Sequence, residues 1–433
     1  MDARFLGFDN IVATLGINNA KDLQFKYNEY LADRETMGLN IDGFEWAAPQ
    51  LDFNYQMIEA DKRIRAMATY VAPDSEPLAR GKEVSLSKLT GTIPRQKYKI
   101  VRGENDYRRE LLGLKEADIA SRLRNESAGY GLRKYLVENF FDTLAEFPDA
   151  HNASLTYQVG QMTSKRKLVL TTDNNQGGII GAEFSANVPD ENVTKEDWYT
   201  VGEDGTITYV EGTDPILSIK KKTRTIKRDL YNGYTSVKVK MSIKTFDALI
   251  EHPAVLRRLG YALQPSLYAS TKNDADALKV GTDAFYGKPR EFMESFFKAA
   301  IEADELVIDT TVVGADKLNT STKKFEQKKV NVFDDGVIMI SPTGTIGSIL
   351  NVVPLRPDGQ AIVAGIFGNR GILEYRYNRE TRTQTWVSEL TVLAVPNAPK
   401  QLFYFEVQGV TADTSGDESG EESGEESGEE SGE

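Results

Sequence analysis

Cysteine is absent from this 433-residue chain, and histidine is scarce, with only His151 and His252. The absence of cysteine excludes disulfides, thiolate nucleophiles and cysteine-ligated zinc. With two histidines, a zinc site would need both of them together with carboxylates. No run approaches 18 apolar residues, and no positively charged and then apolar segment opens the sequence, so we expect neither a membrane span nor a signal peptide. We therefore expect a protein kept in a cytoplasm-like compartment.

The net charge of −13 is concentrated at the C-terminus. Residues 413–433 hold two Asp and eight Glu with no basic residue, so this segment carries −10 and the remaining chain about −3. Global charge therefore gives no support for binding a polyanion. The repeat Ser-Gly-Glu-Glu, with a period of four and no apolar residue, predicts disorder for residues 411–433.

The longest predicted helix runs from Leu114 to Phe147, with apolar residues at i, i+4 and i+7. At 1.5 Å per residue it would be about 50 Å long, which is typical of a spine rather than of a small core. We expect Pro148 to end it. Gly129 and Gly131 leave a kink or two shorter helices as alternatives.

The N-terminal quarter contains little apolar material that it could bury within itself. Residues 1–70 are interpreted as an extended arm with one or two short helices. Residues 71–112 are interpreted as a long exposed β-hairpin with strands at Val84–Leu89 and Lys97–Val101. A hairpin alone is marginal in water, so this segment implies a partner surface.

Beyond the long helix, residues from about 154 to 213 are predicted to be rich in β-structure. A basic run follows, which could be a nucleic-acid patch. We favour a solvated helix face, because no aromatic residues interleave with the cations. The run comprises Lys220, Lys221, Lys222, Arg224, Lys227 and Arg228.

Residues 234–371 are predicted to form a compact α/β domain. Its first elements are a strand at Val237–Met241, a helix capped by Ser242, and a helix from Pro253 to Leu259 that Gly260 ends. Its later elements are a helix at Glu291–Asp304 with Phe292, Phe296, Ala300 and Ile301 inward, and strands at Leu306–Val313, Val337–Ile340 and Ala361–Phe367. After this domain we expect a long hairpin of Ile372–Tyr377 with Thr383–Val395, and a strand at Leu402–Val407.

The sequence offers no credible catalytic, cofactor or metal constellation. No Walker loop or dinucleotide fingerprint is present. His151 could be a base or a ligand, but we favour a surface-loop histidine, and we interpret His252 as a cation at a helix end. The acidic pairs Asp274 with Asp276 and Asp334 with Asp335 match neither a calcium loop nor a glycosidase pair. We therefore expect no enzyme.

Several motifs resemble one protein family. Asp214-Pro215, DLYNGY at 229–234, VKVKMS at 237–242, Phe246 and LIEHP at 249–253 look like the A-domain of lambda-like tailed-phage major capsid proteins. VIMISPTG at 337–344, Trp386, Pro396 and Phe403–Phe405 resemble that family's end. The resemblance covers residues 70–408 in order, and it implies an α+β chain with the Hong Kong 97-type capsid fold.

The resemblance also implies names for the segments. Residues 1–70 would be the N-terminal arm, 71–112 the E-loop, 113–233 the P-domain spine helix with a β-rich insertion at about 154–213, 234–371 the A-domain, 372–410 returning P-domain strands, and 411–433 an acidic tail. It implies hexamers and pentamers of an icosahedral shell around double-stranded DNA, contacted non-specifically. Portal, scaffold and decoration proteins would be partners, with assembly in the host cytoplasm and a final place in the virion.

The expected assembly contacts are cations of the hairpin that could pair with a neighbour's carboxylates, namely Arg80, Lys82, Lys88 and Arg95. Some members of the fold cross-link Lys to Asn, for which Lys82 and Lys88 are the candidates here, although nothing identifies the Asn. We expect the acidic tail to lie outside the shell, since packaged DNA would repel it. The alternatives are an encapsulin-like protein compartment and a cytoplasmic carboxylate-dependent hydrolase.

Overall fold

A computed structural model gives the architecture of the chain. It describes residues 41, 43–60, 86–102, 109, 112, 130–172, 174–175, 179–202, 204–230, 236–269, 273–319, 324–354, 362–367, 370–378, 383–407 and 409. Most of the predicted arm, the first part of the predicted spine helix and the acidic tail lie outside these residues. The statements below concern the described residues.

The helices and strands are numbered along the chain. The helices are α1 Tyr130–Ser164, α2 Pro215–Thr225, α3 Ile243–Ile250, α4 Pro253–Leu263, α5 Ser266–Ala269, α6 Asp274–Gly287 and α7 Arg290–Ala300. The strands are β1 Phe44–Trp46, β2 Asn54–Ala60, β3 Leu86–Thr92, β4 Arg95–Arg102, β5 Lys167–Val169, β6 Glu183–Ser185, β7 Val193–Glu196, β8 Tyr199–Val201, β9 Ile207–Tyr209, β10 Val237–Ser242, β11 Glu305–Asp309, β12 Val312–Asn319, β13 Lys324–Asn331, β14 Val337–Pro342, β15 Gly347–Asn351, β16 Ile362–Ile366, β17 Gly371–Asn378, β18 Thr383–Pro396 and β19 Phe403–Val407. The expected α+β class is confirmed.

Helix α1 is 35 residues long and contains Pro148 within it. The expectation that Pro148 ends the helix is therefore wrong, and so is a β-rich region that begins at residue 154. An interior proline costs a helix about 3 kcal/mol. Downstream of it, Leu155 and Val159 are each only 1% exposed. Burying two such side chains contributes about 1.5–3 kcal/mol each, so packing of the second half offsets the proline.

Two sheets flank α1. The larger has the order β1-β15-β18-β17-β16, with β4 also paired to β18, and all its pairings are antiparallel except β1 with β15. The smaller has the order β11-β10-β14-β19-β7. Residues of α1 share one apolar cluster with residues of both sheets, including Leu390 of β18 and Met339 of β14. The spine helix therefore lies between the sheets.

A second core covers the other face of the smaller sheet. There α2, α3, α4 and α7 pack on β10, β14 and β19, with Phe246, Phe297 and Phe405 among the buried residues. The cap of α3 by Ser242 is confirmed, because its hydroxyl accepts the amide N–H of Thr245 at 3.2 Å. The helix start at Ser242 in this half of the chain is therefore predictable from the local sequence.

Three details of this half differ from expectation. Helix α4 continues through Gly260 to Leu263. The glycine does not end the helix but allows close packing against α6. On α7, the expected residues do face the core, because Phe292, Phe296 and Ala300 pack against it and Ile301 is buried in it. Met293 and Phe297, which the prediction leaves out, are buried more deeply than Phe292 and Phe296. The single strand expected at Leu306–Val313 is two strands, β11 and β12, with β12 paired to β13 as a separate hairpin.

None of the described helices is long and apolar enough to cross a membrane.

The long hairpin of the C-terminal region is confirmed as β17 with β18, paired from Asn378 with Thr383 to Gly371 with Leu390. Strand β19 pairs with β14 and β7 in the smaller sheet. The chain therefore returns to both sheets after β16.

Candidate assembly surface

Strand β18 is the point where the distant parts of the larger sheet meet. Over residues 383–391 it lies between β17 and β4, and over 392–396 it pairs with β15. Helix α1 packs on one face of it through Leu155 and Val159. These successive partners explain the length of β18, which has 14 residues where about five or six are typical of a strand in a globular protein.

The hairpin that precedes β4 is paired differently from the expectation. Strand β3 pairs with β2, from Asn54 with Thr92 to Ala60 with Leu86, whereas β4 pairs with β18. The expected pairing of Val84–Leu89 with Lys97–Val101 is therefore wrong. Pro94 stands between β3 and β4, and because proline has no N–H to give to a ladder, the strand changes partner there.

The base of the β2–β3 hairpin is fastened to the larger sheet by two buried side chains. Tyr55 is 8% exposed and Ile93 is 2% exposed, and both belong to a cluster with Met162 of α1 and Leu393 of β18. The ring of Tyr55 crosses Gly91 on the paired strand, where an added Cβ would stand 2.7 Å from the ring. The hairpin therefore projects from a fixed base.

Strand β4 carries a row of cations on its exposed face. Arg95, Lys97 and Lys99 are exposed and alternate with half-buried residues that face α1. Glu389 of β18 serves two of them, with oxygen atoms 3.1 Å from Arg95 Nε and 3.3 Å from Lys97 Nζ. We call Arg95, Lys97 and Lys99 the β4 cation row.

An exposed apolar patch lies beside this row. Leu51 is 80% exposed, Phe53 37% and Val353 36%. The amide of Val353 bonds the carbonyl of Gln50 at 2.8 Å, which brings these two backbone segments together, and the guanidinium of Arg95 lies 5.2 Å from the centre of the Phe53 ring. Single exposed apolar residues are ordinary, but adjoining ones next to a charged row are typical of a contact surface.

His151 is buried, so its interpretation as a surface-loop residue is wrong. It lies within α1, 2% exposed, with Nε2 2.8 Å from the hydroxyl of Ser388 and Nδ1 3.3 Å from Oε1 of Gln96. Because that amide oxygen only accepts, Nδ1–H donates to it and the Ser388 hydroxyl donates to Nε2. Burial lowers the pKa of His151 to about 4, so the imidazole is neutral and joins α1 to β4 and β18.

His252 is also neutral, and its interpretation as a cation at a helix end is wrong. Its Nδ1 accepts the amide N–H of Ala254 at 3.2 Å and thereby caps the N-terminus of α4. Its Nε2 lies 3.1 Å from the Thr213 hydroxyl. Burial lowers the pKa of His252, and the positive end of a helix dipole opposes a cation there.

Carboxylates of the loop after α7 form ion pairs with cations of the basic run. Arg224 holds Glu302 through two bonds of 2.6 and 2.5 Å, and Lys220 lies 3.1 Å from the same carboxylate. Lys227 lies 2.7 Å from Asp304. The Arg224 guanidinium lowers the pKa of Glu302 to about 2. Three of the six cations of the run therefore have carboxylate partners within the fold, and Lys222 lies over the Phe403 ring.

The two acidic pairs have structural roles. Asp335 accepts the hydroxyl of Ser242 at 2.6 Å, and Asp334 lies 3.2 Å from Lys165. Burial raises the pKa of Asp334 above its usual value. Asp274 accepts the Tyr261 hydroxyl at the start of α6, and the amide of Asp276 bonds the side chain of Asn273, which caps that helix. Within the described residues, no group of three His, Asp or Glu could hold a metal ion.

Two lysines on β10 are buried, which the sequence did not predict. All six residues of this strand are buried, although the alternation predicts one exposed face. Lys240 lies 2.9 Å from Asp309 with both side chains almost fully enclosed, and Lys238 lies 3.5 Å from Glu305. The alternation of Val and Lys gave no sign of this, because it matches a half-exposed strand equally well.

The four expected contact residues fall in different places. Arg80 and Lys82 lie outside the described residues, and Lys88 lies on β3, with its side chain not described. Arg95 is exposed at the start of β4. The structure therefore places one of the four in the β4 cation row, and their roles stay predictions.

No protein-family model matches the sequence, and neither does any curated protein. Among solved structures, a phage-related protein from Bordetella bronchiseptica RB50 is 12% identical, with 89% of this chain and 97% of that chain covered and a TM-score of 0.39. A chain of the mature capsid of bacteriophage PhiM1 is 11% identical, with 88% and 90% covered and a TM-score of 0.39. A chain of the capsid of Myoviridae phage XM1 is 10% identical, with 86% and 93% covered and a TM-score of 0.37. Chains of bacteriophage capsids are thus among the solved structures similar to this chain.

Proposed function

We propose that this chain is a major capsid protein that self-assembles into an icosahedral shell enclosing double-stranded DNA. The carrying observation is the pairing of β4 with β18 beside α1. It fixes the base of a projecting hairpin to the long returning strand and the spine helix. The sequence resemblance to lambda-like major capsid proteins implies this same order of hairpin, spine helix, α/β domain and returning strands.

Two hairpins that pair with no other described strand support the proposal. Hairpins β2–β3 and β12–β13 are each two-stranded sheets of their own. Two-stranded hairpins are marginal in water without something to pack on. Neighbouring copies in a closed symmetric assembly would pack on these strands of seven and eight residues and stabilise them.

The role is structural. In the shell, residues 71–112 act as the E-loop, 113–233 and 372–410 contribute to the P-domain, and 234–371 form the A-domain of a Hong Kong 97-type subunit. The subunits form hexamers and pentamers, and the partners of the shell are portal, scaffold and decoration proteins. Assembly takes place in the host cytoplasm, and the shell becomes part of the virion. DNA is met through scattered cations without base readout.

Size-exclusion chromatography followed by electron microscopy of the purified full chain tests the proposal. We expect discrete shells of tens of nanometres, and nucleic acid inside native particles separates a virus shell from an encapsulin-like compartment. A variant in which residues 54–92 are replaced by a short linker should fold but fail to form shells. A chain that stays monomeric, alone and with its co-expressed neighbouring genes, would contradict the proposal.

A further inference from the structure

The β4 cation row has a regular geometry that the proposed shell does not by itself require. Arg95, Lys97 and Lys99 occupy alternate positions of one strand, so their side chains leave the same face about 7 Å apart. Arg95 and Lys97 are 45% and 54% exposed. Three cations in a straight exposed line form a linear site for an extended anionic chain.

Among the described residues, one carboxylate serves the cations of this row. Glu389 is the carboxylate that Arg95 and Lys97 share. At the basic run of residues 220–228, Glu302 and Asp304 hold Lys220, Arg224 and Lys227, with the guanidinium held by two bonds. The β4 cation row therefore has charge left for a ligand, whereas Lys220, Arg224 and Lys227 are already held by carboxylates.

The position of β4 leaves room for an extended chain. β4 pairs with β18 on one side, and in the part of the chain that the structure describes no strand pairs with its other side. The patch of Leu51, Phe53 and Val353 adjoins the Arg95 end. A ligand can therefore lie along the strand and be held by charge.

We propose that the β4 cation row binds the acidic segment of this same protein, residues 413–433. That segment has ten carboxylates, no cation and no apolar side chain, so charge is its means of attachment. Its glutamates recur every four residues, and Arg95 and Lys99 are also four residues apart. Two extended chains laid side by side keep equal residue spacing, so successive glutamate pairs meet Arg95 and Lys99, and Lys97 lies between them.

Two other roles for the row lead to different results in the same test. Lysines on an edge strand discourage pairing with foreign strands, which requires no ligand. Double-stranded DNA is also a polyanion that such a row could contact. Neither role brings the acidic segment within bonding distance of Lys97 or Lys99.

Zero-length carbodiimide cross-linking of the full chain, read by mass spectrometry, tests the proposal directly. The reagent joins a lysine amine to a touching carboxylate as an amide with loss of water. We expect links from Lys97 and Lys99 to glutamates of residues 413–433. The intramolecular link of Lys97 to Glu389 serves as the internal control, because those atoms are 3.3 Å apart. Raising the salt to about 0.5 M, where charges are screened beyond a few ångströms, should lower the tail links at least five-fold.

Matched controls make the outcome specific. Lys221 and Lys279 are exposed lysines on α2 and α6, and they should give few tail links. The double variant Lys97→Gln with Lys99→Gln should give no tail link at the row and should keep the wild-type melting temperature. The proposal is overturned if the Lys97–Glu389 link forms without tail links, if Lys221 and Lys279 link equally well, or if DNA protects the row while the tail does not. The contact is read whether or not shells form, so this result and the proposed function can fail separately.

Discussion

Gly260 of α4 lies against the carbonyl oxygen of Ala277 in α6 so closely that a Cβ built on the glycine would stand 1.8 Å from it. The relationship is reciprocal, because a Cβ on Gly281 of α6 would stand 1.9 Å from the carbonyl oxygen of Leu256 in α4. Both obstacles are backbone atoms, which cannot move aside as a flexible side chain can. The two helices therefore pack at a distance that only glycine permits.

The substitution Gly260→Ala should separate α4 from α6 and destabilise the protein. We expect a loss of about 1–3 kcal/mol or more in the free energy of unfolding, as for overpacked cores. Urea denaturation measures it. Gly287→Ala is the matched control, since a Cβ at Gly287 meets nothing within 4 Å. Equal stability of the two variants would show that the close approach is not a constraint on the fold.

His151 should make stability depend on pH. Its pKa is about 4 in the folded protein and about 6.5 when unfolded, so between these values the unfolded chain binds a proton that the folded protein does not. Stability from this group is therefore complete above pH 6.5 and is lost as the pH falls towards 4. The difference is on the order of 3 kcal/mol.

The variant His151→Gln tests this contribution. Glutamine can still bond Ser388, so the variant should be only somewhat less stable than wild type at pH 7. Because glutamine does not titrate, the variant should lose less stability on acidification. Denaturation midpoints at half-unit intervals from pH 4 to 7 give the comparison. A slope remains from His252, whose pKa is lowered in the same direction. Identical slopes in wild type and variant would assign the acid sensitivity to other groups.

The local elements were predictable where the chain carries its own signals. Ser242 before an apolar run marks a helix start, and the pairing of β17 with β18 follows from two long β-prone segments that are close in sequence. Pro148 misled the prediction because the cost of a proline is local, whereas the burial of Leu155 and Val159 that offsets it is tertiary.

The surface was harder to predict than the elements, because its geometry comes from pairings distant in sequence. The strand at Lys97–Val101 was found, but its partner is β18 rather than β3, and nothing local distinguishes the two. The alternation Arg-Gln-Lys-Tyr-Lys at 95–99 puts three cations on one strand face, but the sequence does not show which face is exposed. The burial of His151 likewise depends on Gln96 and Ser388, which come from other strands.

Lys240 and Asp309 form an enclosed ion pair whose disruption should be costly. Lys240 Nζ also lies 5.4 Å from the centre of the Phe333 ring. The variant Asp309→Asn keeps an oxygen for the amide of Thr311, which bonds Asp309 at 2.9 Å, but it leaves a buried cation without its counter-charge. We expect a loss of about 3–5 kcal/mol by thermal or urea unfolding.

The double variant Lys240→Met with Asp309→Asn is the control for this pair. Removing both charges abolishes the desolvation penalty together with the attraction, so most of the lost stability should return. The charges would then be dispensable for the fold. If the double variant is as unstable as the single one, the loss comes from side-chain packing and not from the unpaired charge.

The base of the β2–β3 hairpin should matter more for assembly than for stability. Replacing Gly91 by valine brings a Cβ within 2.7 Å of the Tyr55 ring and drives that ring out of its place beside Ile93. Because the hairpin is joined to the larger sheet at this point, we expect a fall in melting temperature of only a few degrees and a clear loss of shells. Thermal unfolding and particle counts by electron microscopy give the two values. The matched variant Gly181→Ala changes a glycine with φ +81° and open space around it, so it should strain its own loop but leave assembly intact. If Gly91→Val forms shells as efficiently as wild type, the orientation of the hairpin base is not what positions neighbouring copies.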